Sequence, residues 1–203
     1  MKKLTLATLS TLALTLSCTN VFALDGTITV NGAVTDQTCV LLASPIGGNA
    51  TNGLKDITVN IPALPKSRFI PNQWVWIESF NLYLRNATGT ANCDAATSKA
   101  FKGIHLSAIS PDHLDTADKT LLVNQASGAS KENPVFIQIL TAPAAIYVPV
   151  DLSAPWEGQV KGQVFRGSNN ETYLVYGVGV SSKTGIVDAQ NYTATVNYTI
   201  HYN

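Results

Sequence analysis

A strict two-residue alternation from Tyr192 to Tyr202 constrains this chain more than any other feature. Tyr192, Ala194, Val196, Tyr198, Ile200 and Tyr202 share one face, and Thr193, Thr195, Asn197, Thr199 and His201 share the other. Period two belongs to a β-strand, and an apolar face sustained over about 35 Å calls for a core along its length. Elsewhere Val, Ile, Thr and Tyr recur in short runs bounded by Gly, Pro, Asn and Ser, and no long segment repeats its apolar residues every 3.6 positions. Only 13% of residues are charged. The expected class is all-β.

Turn chemistry divides the chain into nine or ten expected strands, the pattern of a β-sandwich. Thr27 to Val34 continues to Cys39–Leu42, and a loop covers Ser44–Asn49. Asp56–Ile61 is half-buried through Ile57, Val59 and Ile61, and Pro62 and Pro65 end it. Trp74–Arg85 carries Trp74, Trp76, Phe80, Leu82 and Leu84 in one register, with Glu78 breaking it and suggesting a bulge or two strands. Ala87–Ser98 reads as a polar loop. Gly103–Ile109, Thr120–Val123, Val135–Leu140, Ala144–Leu152, Gln159–Phe165 and Thr172–Val180 follow, before the closing strand.

Residues 1–23 have the form of an export signal. Lys2 and Lys3 precede a short apolar stretch, and Val21-Phe22-Ala23 is a small-residue cleavage site. The apolar stretch is shorter than the roughly 20 residues that span a bilayer. Cleavage removes Cys18 and leaves Cys39 and Cys93, a pair that an oxidising compartment joins as a disulfide. With Lys2 and Lys3 gone from 13 basic residues, 11 remain against 13 acidic ones. A balance near −2 gives no hold on nucleic acid or anionic lipid.

Candidate chemistry is sparse. Asp112, His113, Asp115 and Asp118 are ligand-type residues in a Ser/Pro-bounded loop and read as a solvated turn, while His105 and His201 have no partner at zinc spacing. No nucleophile elbow or phosphate-cradling loop occurs, and Gly177-x-Gly179 lies inside a strand, where it relieves close packing. No catalysis and no cofactor are expected. Asn-x-Ser/Thr triplets begin at Asn49, Asn86, Asn170, Asn191 and Asn197 and are read as unmodified. Trp74 and Trp76 are read as core in preference to a sugar platform.

Four stretches together carry a resemblance: Asp25-Gly26-Thr27-Ile28-Thr29-Val30-Asn31-Gly32 leading to Cys39; Phe80-x-Leu82-x-Leu84 before Cys93; Asn133-Pro134-Val135-Phe136-Ile137-Gln138-Ile139-Leu140; and the closing alternation to Tyr202-Asn203. In this order the chain resembles the fimbrial subunits of the chaperone–usher pathway, type 1-like major pilins. Residues 86–92 and 151–171 are longer than that pattern. The resemblance implies an incomplete immunoglobulin-like β-sandwich that lacks its final strand and is completed by a donor strand from another chain. Residues 24–31 would be that donor, with Ile28 and Val30 inserted and Gly26 in a shallow pocket. Residues 32–203 would be the pilin domain, with the groove beside Tyr192, Ala194, Val196, Tyr198, Ile200 and Tyr202. The implied partners are neighbouring subunits in a head-to-tail polymer, a periplasmic chaperone that fills the groove first, and an outer-membrane usher. The implied location is the cell surface, reached through the periplasm. The rival expectation is a secreted, self-contained carbohydrate-binding β-sandwich.

Overall fold

The structure is a computed structural model, and it describes residues 38–46, 51–143 and 146–202. The backbone divides into two units, Met1–Asn31 and Gly32–Asn203, and every described residue belongs to the second. The expected donor residues Gly26, Ile28 and Val30 and the export signal lie outside the described residues.

Antiparallel β-structure dominates. Strands β1 (Val40–Pro45), β4 (Trp74–Arg85), β10 (Thr172–Ser181), β7 (Phe136–Thr141) and β6 (Leu122–Val123) lie side by side in that order. Short strands β8 (Val148–Pro149) and β9 (Val164–Arg166) add to β7 and β10. A second sheet pairs β5 (Phe101–Ala108) with β11 (Val196–Tyr202), and a third pairs β2 (Thr51–Asn52) with β3 (Thr58–Val59). Alternate residues of the large sheet, Phe80, Leu82 and Leu84 from β4 and Leu174, Tyr176 and Val178 from β10, share one core with Ile104 and Leu106 of β5. Among the described residues no helix is long and apolar enough to cross a membrane.

β4 runs unbroken through Glu78, which points the same way as Phe80 and is only 2% exposed. Its carboxylate accepts a hydrogen bond from Trp76 Nε1 at 3.1 Å. The irregularity expected at Glu78 sits nearer the strand's start: Val180 pairs with Trp76, but Ser181 pairs with Trp74. The extra residue in β4 turns Trp74 out of the alternation. Trp74 is therefore 37% exposed and lies against the face that Gly179 opens, away from the shared core. A Cβ on Gly179 would come within 2.9 Å of Trp74 Cδ1, and one on Gly177 within 3.1 Å of Tyr147. The two glycines do relieve close packing.

The segment expected to be a loop around Cys93 contains a short helix, α1 (Ala95–Ala100). Asp94 caps it by accepting the Thr97 N–H at 2.9 Å. A single helical turn is too short for its apolar period to be visible. Cys39 and Cys93, both buried, are joined by a disulfide with Cα atoms 6.0 Å apart. The bridge ties the entry to β1 to the segment that follows β4.

Candidate functional site

The expected closing strand is shorter than its alternation. Only Val196–Tyr202 pairs with β5, and residues 192–195, whose burial still alternates, join no ladder among the described residues. Propensity and alternation are satisfied by extended backbone alone, whereas a ladder needs a neighbour in register.

The two edges of this small sheet are treated differently. On the far edge of β5, the buried Gln159 side chain takes the place of a strand. Its Oε1 accepts the Leu106 N–H at 2.9 Å, and its Nε2 donates to the Leu106 carbonyl at 2.8 Å and the Asp151 carbonyl at 2.7 Å. Arg166 also donates to the Phe101 carbonyl at 3.1 Å. Beside β11, no strand pairs with the second edge among the described residues.

A groove of about 1060 Å³ lies on that side. One wall is residues 57–66, which leave β3 and pass through Pro62 and Pro65. The other is residues 187–198, leading into β11. The floor is core: Phe80, Leu82, Ile104, Leu106, Ile137 and Tyr176. Of the residues expected to face a groove, Tyr192, Ala194, Val196 and Tyr198 line it. Ile200 packs on the core beyond its end. Tyr202 is 40% exposed, its ring edge-on to Phe101 at 6.2 Å.

A polar cluster fixes the wall that has no ladder. Asn124 Nδ2 donates to Gln190 Oε1 at 3.0 Å and to the Asn191 carbonyl at 2.7 Å, and Asn124 Oδ1 accepts the Thr193 N–H at 3.1 Å. Gln190 Nε2 donates to the Asn133 carbonyl at 3.0 Å, and Ser130 Oγ to Asp188 Oδ2 at 2.6 Å. The Ser130 bond, and beyond it Asn133 and Lys66, hold the Asp188 carboxyl below its usual range despite some desolvation. Sequence reading missed Asn124 and Gln190, because polar residues in turns carry no signal for a partner so distant in the chain. The wall at 57–66 was legible as a half-buried segment, but not as one side of a groove.

Across the groove, Tyr198 Oη donates to the Lys55 carbonyl at 2.9 Å and Tyr192 Oη to the Pro62 carbonyl at 3.2 Å. Burial pushes both phenols above their ordinary range, and the Asp56 carboxylate adds to the effect at Tyr198. Both therefore stay protonated donors at neutral pH.

The remaining candidates do not converge. Asp112 accepts from Ser110 Oγ; Asp115 accepts the Ala117 and Asp118 N–H groups and pairs with Lys183 at 2.6 Å; Asp118 accepts from Thr120. These contacts organise turns. His105 Nε2 lies 2.9 Å from the Ala154 carbonyl, and His201 stacks on Trp156 with centroids 4.0 Å apart. Among the described residues the one group with metal-ligand spacing is Cys39, Cys93 and Asp94. Its two sulfurs are spent in the disulfide, so it offers no thiolate.

Comparison with known proteins finds no matching family model and no matching curated protein.

Proposed function

We propose that this protein is a structural subunit of a chaperone–usher fimbria, an incomplete immunoglobulin-like sandwich that polymerises when residues 24–31 of one copy enter the groove of the next. The observation that carries the reading is the asymmetry of the small sheet: side chains seal the far edge of β5, while the edge of β11 borders an apolar groove. An edge that no described strand covers is the kind that recruits one.

The donor fits by size and pattern. Eight extended residues reach about 26 Å, a length that a ten-residue wall can flank. Ile28 and Val30 alternate with Thr27 and Thr29, so one face of the donor is apolar. Each aliphatic side chain buried contributes on the order of 1.5–3 kcal/mol, and each new backbone hydrogen bond about 1 kcal/mol net. Because donor and groove are different surfaces of one chain, the contact is head to tail and yields a filament instead of a closed dimer. The chaperone would cover the same groove before assembly, and the usher would release fibres to the cell surface.

Deleting residues 24–31 tests the reading. The deleted chain should still be recovered with an immunoglobulin-like periplasmic chaperone, yet fail to extend a fibre seen by electron microscopy. A self-contained sugar-binding module would instead lose a pairing strand and with it stability, and a deleted chain that is destabilised and forms no chaperone complex would rule out the pilin reading.

A further inference from the structure

The groove walls are joined by two phenols that reach from one to the other. Tyr198 donates to the carbonyl of Lys55, two residues ahead of the 57–66 wall, and Tyr192 to that of Pro62 within it, so the two bonds tie that wall and its entry to the facing one. Neither tyrosine is part of the deep core: both are half-buried, with their rings packed on its margin. A tyrosine hydroxyl stands about 6.5 Å from its Cα by covalent geometry. With the 2.9 Å bond to Lys55, the span from Tyr198 Cα to the facing carbonyl is at most about 9.4 Å. Inserting a strand between two others sets the outer pair about 9.5 Å apart, twice the ladder spacing. The phenols thus bridge a gap of about the width that one inserted strand fills.

We propose that Tyr192 and Tyr198 are bolts on the groove: their hydroxyls keep the walls fastened across it, and a strand enters only when both leave the carbonyls of Pro62 and Lys55. The inference rests on the strand-acceptor reading above and adds to it what controls entry. The rest of the wall is built to stay in place, since Asn124 and Gln190 anchor residues 190–193 from behind, so opening falls to the bonds that cross the groove. The bolts are weak enough to open thermally. A net hydrogen bond of ordinary strength shifts an opening equilibrium roughly five-fold, and two independent ones about 25-fold.

The test uses the full exported chain and three variants, Tyr192→Phe, Tyr198→Phe and the double substitution, which keep the rings and remove only the donors. A fluorescent synthetic peptide with the sequence of residues 24–36 is the probe, and its rate of uptake is followed by anisotropy beside the global unfolding rate in urea. Each single variant should take up peptide about five-fold faster, and the double variant about 25-fold faster, with unfolding accelerated far less than uptake. If the parent chain binds the peptide and the double variant binds it no faster, the bolts are refuted and the strand-acceptor reading stands. Uptake that rises only in step with global unfolding also refutes them. If neither parent nor variants take up the peptide, the strand-acceptor reading falls, and the bolts with it.

Discussion

Gln159 shows how much one side chain can decide. It satisfies both backbone groups of Leu106, which would otherwise be a buried open edge. Gln159→Leu keeps the bulk but leaves those groups unpaired, and each buried unsatisfied group costs about 1–3 kcal/mol. A loss of roughly 2–4 kcal/mol is expected in urea unfolding, with new hydrogen exchange at the Leu106 amide. Tyr176 makes a second prediction. It sits in the groove floor, and burial pushes its phenol up to about 12 from 10.0. Between those two pH values the unfolded chain has lost this proton and the folded chain keeps it, so stability falls as pH rises across that interval. The contribution is fully present below pH 10 and, at about 1.4 kcal/mol per pH unit, amounts to roughly 2–3 kcal/mol once lost. Tyr176→Phe should flatten the alkaline limb of the stability profile. Gly162 belongs at this scale too: a Cβ there would come within 2.9 Å of Thr141 Oγ1 and 3.0 Å of the Tyr176 ring, so its smallness serves the packing of that phenol.

At the scale of elements, legibility followed the range of the forces involved. β4, β5, β7 and β10 were readable because alternation and β-branched composition are local and each has a face on the core. Among the described residues, the Ala144–Leu152 and Gln159–Phe165 runs yielded only Val148–Pro149 and Val164–Arg166 as strands. Their residues have strand-like composition, but edges of β7 and β10 were open to them only over those few positions. The helix after Cys93 escaped notice, and the bulge in β4 was expected at Glu78 instead of beside Trp74, because each is set by a cap or by pairing in one place. The disulfide was legible from cysteine arithmetic once the expected export signal was set aside. It spans 54 positions, and in the chain-entropy picture reducing it should destabilise the domain by about 4 kcal/mol. Urea midpoints with and without reductant measure this directly.

At the scale of the whole molecule, the prediction concerns association. Ile28→Asp combined with Val30→Asp places charges on the apolar face of the expected donor, and a carboxylate has no partner on a floor made of Phe80, Leu82, Ile104 and Leu106. On the strand-exchange proposal, the doubly substituted chain should still be recovered with a chaperone but form no polymer by gel filtration, while remaining able to accept donor peptide from the unsubstituted sequence. That outcome would separate donor from acceptor within one chain, as a head-to-tail contact requires.

The sequence by itself determined the β class, the cysteine pair, the main strands and the apolar face from Tyr192 to Tyr198, because each depends on residue type and short-range spacing. The tertiary structure alone decided that this face borders a groove, that residues 57–66 form its second wall, and that Gln159 closes one sheet edge while no described strand pairs with the edge of β11. Those outcomes depend on which segments, distant in the chain, compete for the same backbone donors and acceptors. That competition is settled only when the sheets pack on their common core.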